Sequence, residues 1–418
     1  MKQKAIEWTR LENAAKFFPS TCSDKEPKVF RLACELNEAV EPEILQKALD
    51  INFDSFPHYK SVVRRGAFWY YLESSDIRPQ VEIESNPVCY PIYIGHKNNL
   101  LFRVFYYNNR INFEVFHALT DGAGAFLFMQ SLVHHYLLLS HKEFANTVST
   151  YNNPSLSLDD SFKKYFVGGK LFNRDKNYLD KVSSYHIRGT RVEENRIKLV
   201  EGAMSVKAVL ELAHDYNTTL TIFIASLLIY SIYKEMPASK RNHPIMLSVP
   251  INLRKYFESN TERNFFCTMS VGYNFSQGND DLKAVIEGIS ESFQRDLTEE
   301  HLNTHLNQLI SLEQAPWIRI MPLPLKDMFI RIGDKLSDRQ TTSTISNLGQ
   351  ISMPAEYDSI IRQFSVCTST RRPKITMCSY NGRMVISFTS PFRDTNIQKT
   401  FFTMLSKQGI EIEITSNF

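Results

Sequence analysis

The segment from residue 100 to residue 139 limits this chain's fold more than any other, because its apolar period changes in mid-course. Residues 100–107 and 111–116 alternate at period two or carry aromatic and β-branched clusters, which reads as two strands. Tyr107-Asn108-Asn109-Arg110 between them looks like a hairpin turn, since asparagine tolerates the left-handed backbone of tight turns. Residues 123–139 then follow the 3.6-residue period of a helix. His117-Ala118-Leu119-Thr120-Asp121-Gly122 falls at the junction, so His117 is expected at a strand end, ahead of a glycine-containing turn. Sheet followed by helix places the chain in the α/β class.

Strands are also expected at 30–36 and 61–72, and helices at 42–53, 206–216, 220–235 and 280–296. Ser205 suits the cap of the helix at 206, while Asp280 and Asp281 put negative charge where the last helix leaves amides unpaired. Between about 147 and 196 the pattern gives way to Ser, Asn, Asp and charged residues around Gly168-Gly169, a crossing between two halves. After it come the two helices at 206 and 220, strands at 245–250 and 267–275, and a last hairpin turned by Asn381-Gly382. A chain of 418 residues fits two units, divided here as 1–175, carrying the histidine segment, and 176–418. No short tandem repeat or low-complexity tract is apparent.

Charge and cysteine content narrow the partners. Against 48 basic and 45 acidic residues, a net charge of +3 provides no global field for nucleic acid or an anionic membrane, so any anion site must be local. Hydrophobic residues at 43%, with 29 Phe and 19 Tyr, supply a packed interior. Cys22, Cys34, Cys89, Cys267, Cys367 and Cys378 show no Cys-x-x-Cys spacing, so reduced thiols are expected rather than a zinc site or a disulfide framework. Residues 1–10 are polar and show no apolar leader, which points to the cytoplasm. The longest apolar stretch, 220–233, contains Thr221, Ser226 and Ser231 and falls short of the ~20 residues of a bilayer span. It is expected to be a buried core helix, with no transmembrane segment.

An unperturbed imidazole titrates near pH 6.5, so at neutral pH His117 is suited to take a proton from a bound hydroxyl or amine. Asp121, across the turn, has three readings: orienting the histidine as a triad carboxylate does, pairing with an arginine to lock the turn, or capping the helix near residue 123. Spacing leaves all three open. Gly122 and Gly124 permit backbone angles, or a close approach of another segment, that a side chain would obstruct. No Gly-x-Gly-x-x-Gly, Walker loop, Gly-x-Ser-x-Gly elbow or cysteine–histidine signature is present.

His117, Asp121 and Gly122 match a His-x-x-x-Asp-Gly motif, and four other segments accompany it in order. These are Arg10-Leu11-Glu12-Asn13-Ala14-Ala15, Val249-Pro250-Ile251-Asn252-Leu253-Arg254, Arg263-Asn264-Phe265-Phe266 and Ser343-Thr344-Ile345-Ser346-Asn347-Leu348-Gly349. On these residues the chain resembles the acyltransferase superfamily of chloramphenicol acetyltransferase, nonribosomal peptide condensation domains and the alcohol acetyltransferase group, over nearly all its length. Phe116 stands where condensation domains often carry a second histidine, and the Asp-Phe-Gly-Trp-Gly of plant acyltransferases is missing. The alcohol acetyltransferase-like branch is left.

The resemblance implies two chloramphenicol-acetyltransferase-like α/β sandwich halves forming a pseudo-dimer around a central tunnel. His117 would be the general base for direct transfer, without a covalent acyl-enzyme, to a hydroxyl or amine of a small or lipid-like acceptor. The donor would be acyl-CoA or an acyl-carrier phosphopantetheinyl thioester, a co-substrate rather than a tightly bound cofactor. Asp121, Gly122 and Arg254 would form a structural lock, and Thr344, Ser346 or Asn347 would donate to the oxyanion, although the same residues also read as a plain strand-to-turn signal. A monomer is expected. Two other classes stand beside this: a binding or assembly module of the same fold without turnover, and a carrier-protein-dependent condensation partner in natural-product or lipid biosynthesis.

Arg371, Arg372 and Lys374 form a dense basic group suited to the phosphates of coenzyme A or an acidic carrier face, and equally to an exposed loop before the last hairpin. His301 and His305 stand four apart on a helix, but the glutamate of a zinc protease and a third ligand are both missing, so no metal is expected. His134, His135 and His141 read as surface or packing residues.

Overall fold

Asn108, with a left-handed φ of 51°, turns the hairpin that joins Phe102–Tyr107 to Arg110–Phe116. In the computed structural model, which describes residues 8–11, 15–95, 97–144, 161–166 and 183–417, this hairpin sits inside a five-stranded sheet. The sheet's order is Ile361–Thr368, Val29–Leu36, Arg110–Phe116, Phe102–Tyr107 and Val81–Ile83. Its first strand comes from the far end of the sequence: Phe364 pairs with Cys34 and Thr368 with Phe30, antiparallel. The division near residue 175 and the Gly168-Gly169 pair lie outside the described residues.

A seven-stranded sheet carries most of the later sequence, in the order Phe266–Tyr273, Ile245–Asn252, Ser343–Gln350, Lys374–Tyr380, Arg383–Ser390, Lys198–Ser205 and Glu413–Ser416. Ser343–Gln350 runs parallel to both its neighbours. Asn381 and Gly382, with φ of 42° and 75°, turn the last hairpin. A small third sheet joins Trp8–Arg10, Tyr70–Ser74 and Ser61–Arg65. The expected single strand at 61–72 is therefore two strands, broken at Gly66, where a Cβ would lie 2.8 Å from the Trp69 carbonyl oxygen.

Two large cores follow from these sheets. Beneath the helix Gly122–Ser140, the rings of Tyr59, Phe102 and Phe113 pack around Phe128, with Tyr59–Phe128 centroids 4.3 Å apart and Phe113–Phe128 centroids 4.7 Å apart. The second core centres on Leu220–Glu235, buried on nearly every side by the seven-stranded sheet and by Leu282–Asp296 and Asn396–Lys407. That enclosure explains why its apolar residues occupy every face rather than one stripe. No single helix among the described residues is long and apolar enough to cross a membrane. The six cysteines are unpaired.

Candidate active site

His117 ends the buried strand Arg110–Phe116, and its backbone is held from both sides. Its N–H donates to the Lys28 carbonyl at 2.8 Å, and its carbonyl accepts from the Asn264 amide at 3.1 Å. The ring is held by aromatic neighbours from three separate segments. Phe18 stacks on it, with centroids 4.3 Å apart and planes within 13°, while Phe30 at 4.8 Å and Phe266 at 5.8 Å tilt against it. Burial pushes the imidazole pKa down to about 4, against the opposing pull of Asp121, the residue's own carbonyl and Asn264; Lys374 adds to the lowering. Nδ1 is sealed and makes no hydrogen bond among the described residues, yet the residue as a whole keeps partial exposure. With Nδ1 sealed, Nε2 is the nitrogen through which the ring can act.

Asp121 combines two of the three roles left open by its spacing. One carboxylate oxygen caps the helix Gly122–Ser140 by accepting from the Gly124 N–H at 3.0 Å. The other accepts from Arg254 Nη1 at 2.7 Å and from the Phe265 N–H at 2.8 Å. Arg254 also donates to the carbonyls of Thr261 and Arg263, so one guanidinium ties the motif turn to the loop after Ile245–Asn252. Both motif glycines mark close approaches. A Cβ on Gly122 would lie 2.3 Å from Leu348 Cδ2, and one on Gly124 would lie 2.1 Å from the Glu262 carbonyl oxygen. Thr120 Oγ1 seals the same seam by donating to that carbonyl at 2.6 Å.

Ser343–Gln350 thus abuts the motif through Leu348. Along this strand Ile345 belongs to the second core, and Asn347 donates to Thr221 Oγ1 at 2.9 Å while accepting from the Gly349 N–H at 2.9 Å. Asn347 is committed to the helix side of the sheet. Thr344 and Ser346, half-buried, alternate with Ile345 and Asn347 and so lie on the other face.

Arg371, Arg372 and Lys374 converge on one cavity of about 150 Å³ that Thr344 also lines, but each already has a carboxylate partner. Arg371 pairs with Glu26 and Asp334, Arg372 with Asp338, and Lys374 with Glu26. Four basic residues face three acidic ones there, Lys28 included, which leaves little surplus charge for a phosphate. Among the described residues no His, Cys, Asp and Glu side chains cluster as metal ligands. His301 is exposed; the side chain of His305 lies outside the described residues. His134 is buried against the Tyr357 hydroxyl at 2.8 Å, and His141 pairs with Glu38 at 2.7 Å. Sequence reading did not find the ring clamp of Phe18, Phe30 and Phe266, because no spacing relates three segments that meet only in the fold.

No family model and no curated protein matches the chain. Solved structures do match. Polyketide synthase associated protein 5 from Mycobacterium tuberculosis aligns at a TM-score of 0.63 and 12% identity, covering 95% of this chain and 96% of its own. The first condensation domain of the calcium-dependent antibiotic synthetase, solved with a substrate analogue, aligns at 0.63 and 12%, covering 96% of each. This chain has the condensation-domain fold. TRI101 of Fusarium sporotrichioides, solved with coenzyme A and T-2, shares it at 0.62 and 11% identity over 97% of this chain and 99% of that one. The mixed α/β architecture that the resemblance implies is present in the five- and seven-stranded sheets and the helices packed on them.

Proposed function

We propose that the chain is an acyltransferase in which His117 Nε2 takes the proton of an acceptor hydroxyl or amine. The freed nucleophile attacks the carbonyl of an acyl thioester, and collapse of the tetrahedral intermediate expels a thiolate that recovers the proton from the imidazolium. The observation that carries this reading is the imidazole itself. It is uncharged at neutral pH, clamped by Phe18, Phe30 and Phe266, and left with one working nitrogen. Asp121, committed to Arg254 and the helix cap, serves the turn rather than the ring. Ser346 and Thr344 are the proposed oxyanion donors, because their strand meets the motif while Asn347 is spent on the opposite face. Coenzyme A or a phosphopantetheinyl carrier supplies the thioester, a reading supported by the coenzyme A complex of the similar TRI101. The alcohol acetyltransferase-like assignment, the two-half division and the placement of donor and acceptor in a tunnel between the halves belong to the same proposal.

The test is release of free thiol from a panel of acyl-CoAs and acyl-carrier proteins, with hydroxyl and amine acceptors, by wild type and His117→Ala. Wild type is expected to turn over at least one pair, and the variant to lose about 10²–10⁴-fold while staying folded. Failure of wild type on every pair, or undiminished rate in the variant, defeats the reading.

A further inference from the structure

The helix Leu323–Asp338 is amphipathic with its apolar side outward. Leu325, Met328, Phe329, Ile332 and Leu336 follow the spacing of one helix face, and each is 47–55% exposed. The preceding helix Pro316–Ile320 adds Trp317 at 60% and Ile320 at 74%. The hairpin tip at Phe68, 47% exposed, is tied to the same surface, because the Leu323 N–H donates to the Ala67 carbonyl and Lys326 donates to that of Phe68, both at 2.9 Å. A contiguous apolar face of this extent on a water-exposed protein marks a docking site.

The charges name the occupant. The helix carries three acids, and all lie away from the apolar face: Asp327 bonds Ser20 and Tyr70, Asp334 pairs with Arg371, and Asp338 pairs with Arg372. Among the described residues, the exposed charged side chains that flank the apolar side are basic: Arg319, Lys335 and Arg339, with Arg331 donating to the Ser20 carbonyl at 2.7 Å. We propose that this face lies on an anionic lipid membrane, its apolar side chains entering the acyl boundary and its basic ones reaching the lipid phosphates. The arrangement fits the physics of an interfacial helix, where Trp and Leu insert and long cationic side chains extend back to the headgroups. It also satisfies the requirement, set by a net charge of only +3, that any affinity for anions be local. The docked face stands one element from the candidate site, since Asp327 bonds Ser20 of Phe17–Thr21, whose Phe18 stacks on His117.

Co-sedimentation of the full chain with vesicles tests this. Wild type is expected to pellet with phosphatidylcholine vesicles containing about one third phosphatidylglycerol, and to be released by salt. Trp317 emission should shift to the blue on binding, a change missing from Trp317→Phe. The double variant Phe329→Glu, Ile332→Glu, altered only at exposed positions, should bind about tenfold more weakly or worse. Wild type remaining in solution, or binding pure phosphatidylcholine equally and regardless of salt, overturns the proposal. So does a dimer that this double variant disperses, or capture of an acidic protein by this face, without vesicle binding.

Discussion

At His117 the burial that strips the ring of its charge also sets the pH range in which it can accept a proton. The pKa is pushed down to about 4, so the neutral base predominates above that value and is lost as pH falls through it. The rate of acyl transfer is expected to be level from pH 6 to 8 in this respect, and to fall on an acid limb between about 5 and 4. Phe18→Ala opens the stacked face to water, so the ring should titrate closer to 6.5 and the acid limb should move up with it. A pH–rate profile beside histidine titration by NMR checks both, and an unmoved limb with a shifted rate would make Phe18 a packing residue only. Asp121 makes a different kind of contribution. Asp121→Ala removes the partner of Arg254 and the cap at Gly124, an expected loss of about 3–5 kcal/mol. Asp121→Asn keeps a capping oxygen and should cost visibly less in urea denaturation.

The elements around the motif are close because two glycines let them be. On Gly124 a methyl group meets the backbone carbonyl of Glu262, which cannot swing aside, whereas on Gly122 it meets only the tip of Leu348. Gly124→Ala should therefore lower thermal stability by more than Gly122→Ala, on the order of 1–3 kcal/mol against less than 1.5. Equal losses would mean that the two seams give alike. How much of this was legible in the sequence depended on whether the cause was local. Asn108, Asn381-Gly382 and the apolar run at 220–235 carry their own turn or burial chemistry, and those elements lie where the pattern places them. Lys198–Ser205 was hidden because its centre holds Glu201, buried on Arg110, and Gly202, bare to admit the ring of Phe402. The pairing of Ile361–Thr368 with Val29–Leu36 depends on residues at opposite ends of the chain, which no period can relate. In the candidate site, His117, Asp121 and Gly122 stood out through their match to a family motif, spacing alone leaving the role of Asp121 open, while the commitment of Asn347 to Thr221 depended on which face of a strand turned outward.

For the molecule as a whole, buried histidines tie stability to acidity. His58, buried against the Leu119 carbonyl and near Arg263, is pushed down to about 4, as are His117 and His134. Between pH 6.5 and 4 the unfolded chain holds more protons at these rings than the folded one, so stability falls as pH falls through that window. His58 alone accounts for about 3 kcal/mol by pH 4. Glu262 acts the opposite way, since burial raises it to about 7 and its strain is relieved on acidification, but it stands against three imidazoles. Urea midpoints at pH 7 and 4.5 should show the net loss, and an unchanged midpoint would contradict it.

The strand that Ile361–Thr368 lends to the first sheet has a consequence for how a ribosome must make this protein. Val29–Leu36 leaves the exit channel well before Ile361–Thr368 is made, and its edge stays open while everything between the two strands is synthesised. Until then that edge is a row of unmet amides and carbonyls beside buried-type side chains, the stretch where a chaperone would be needed and a truncated product would aggregate.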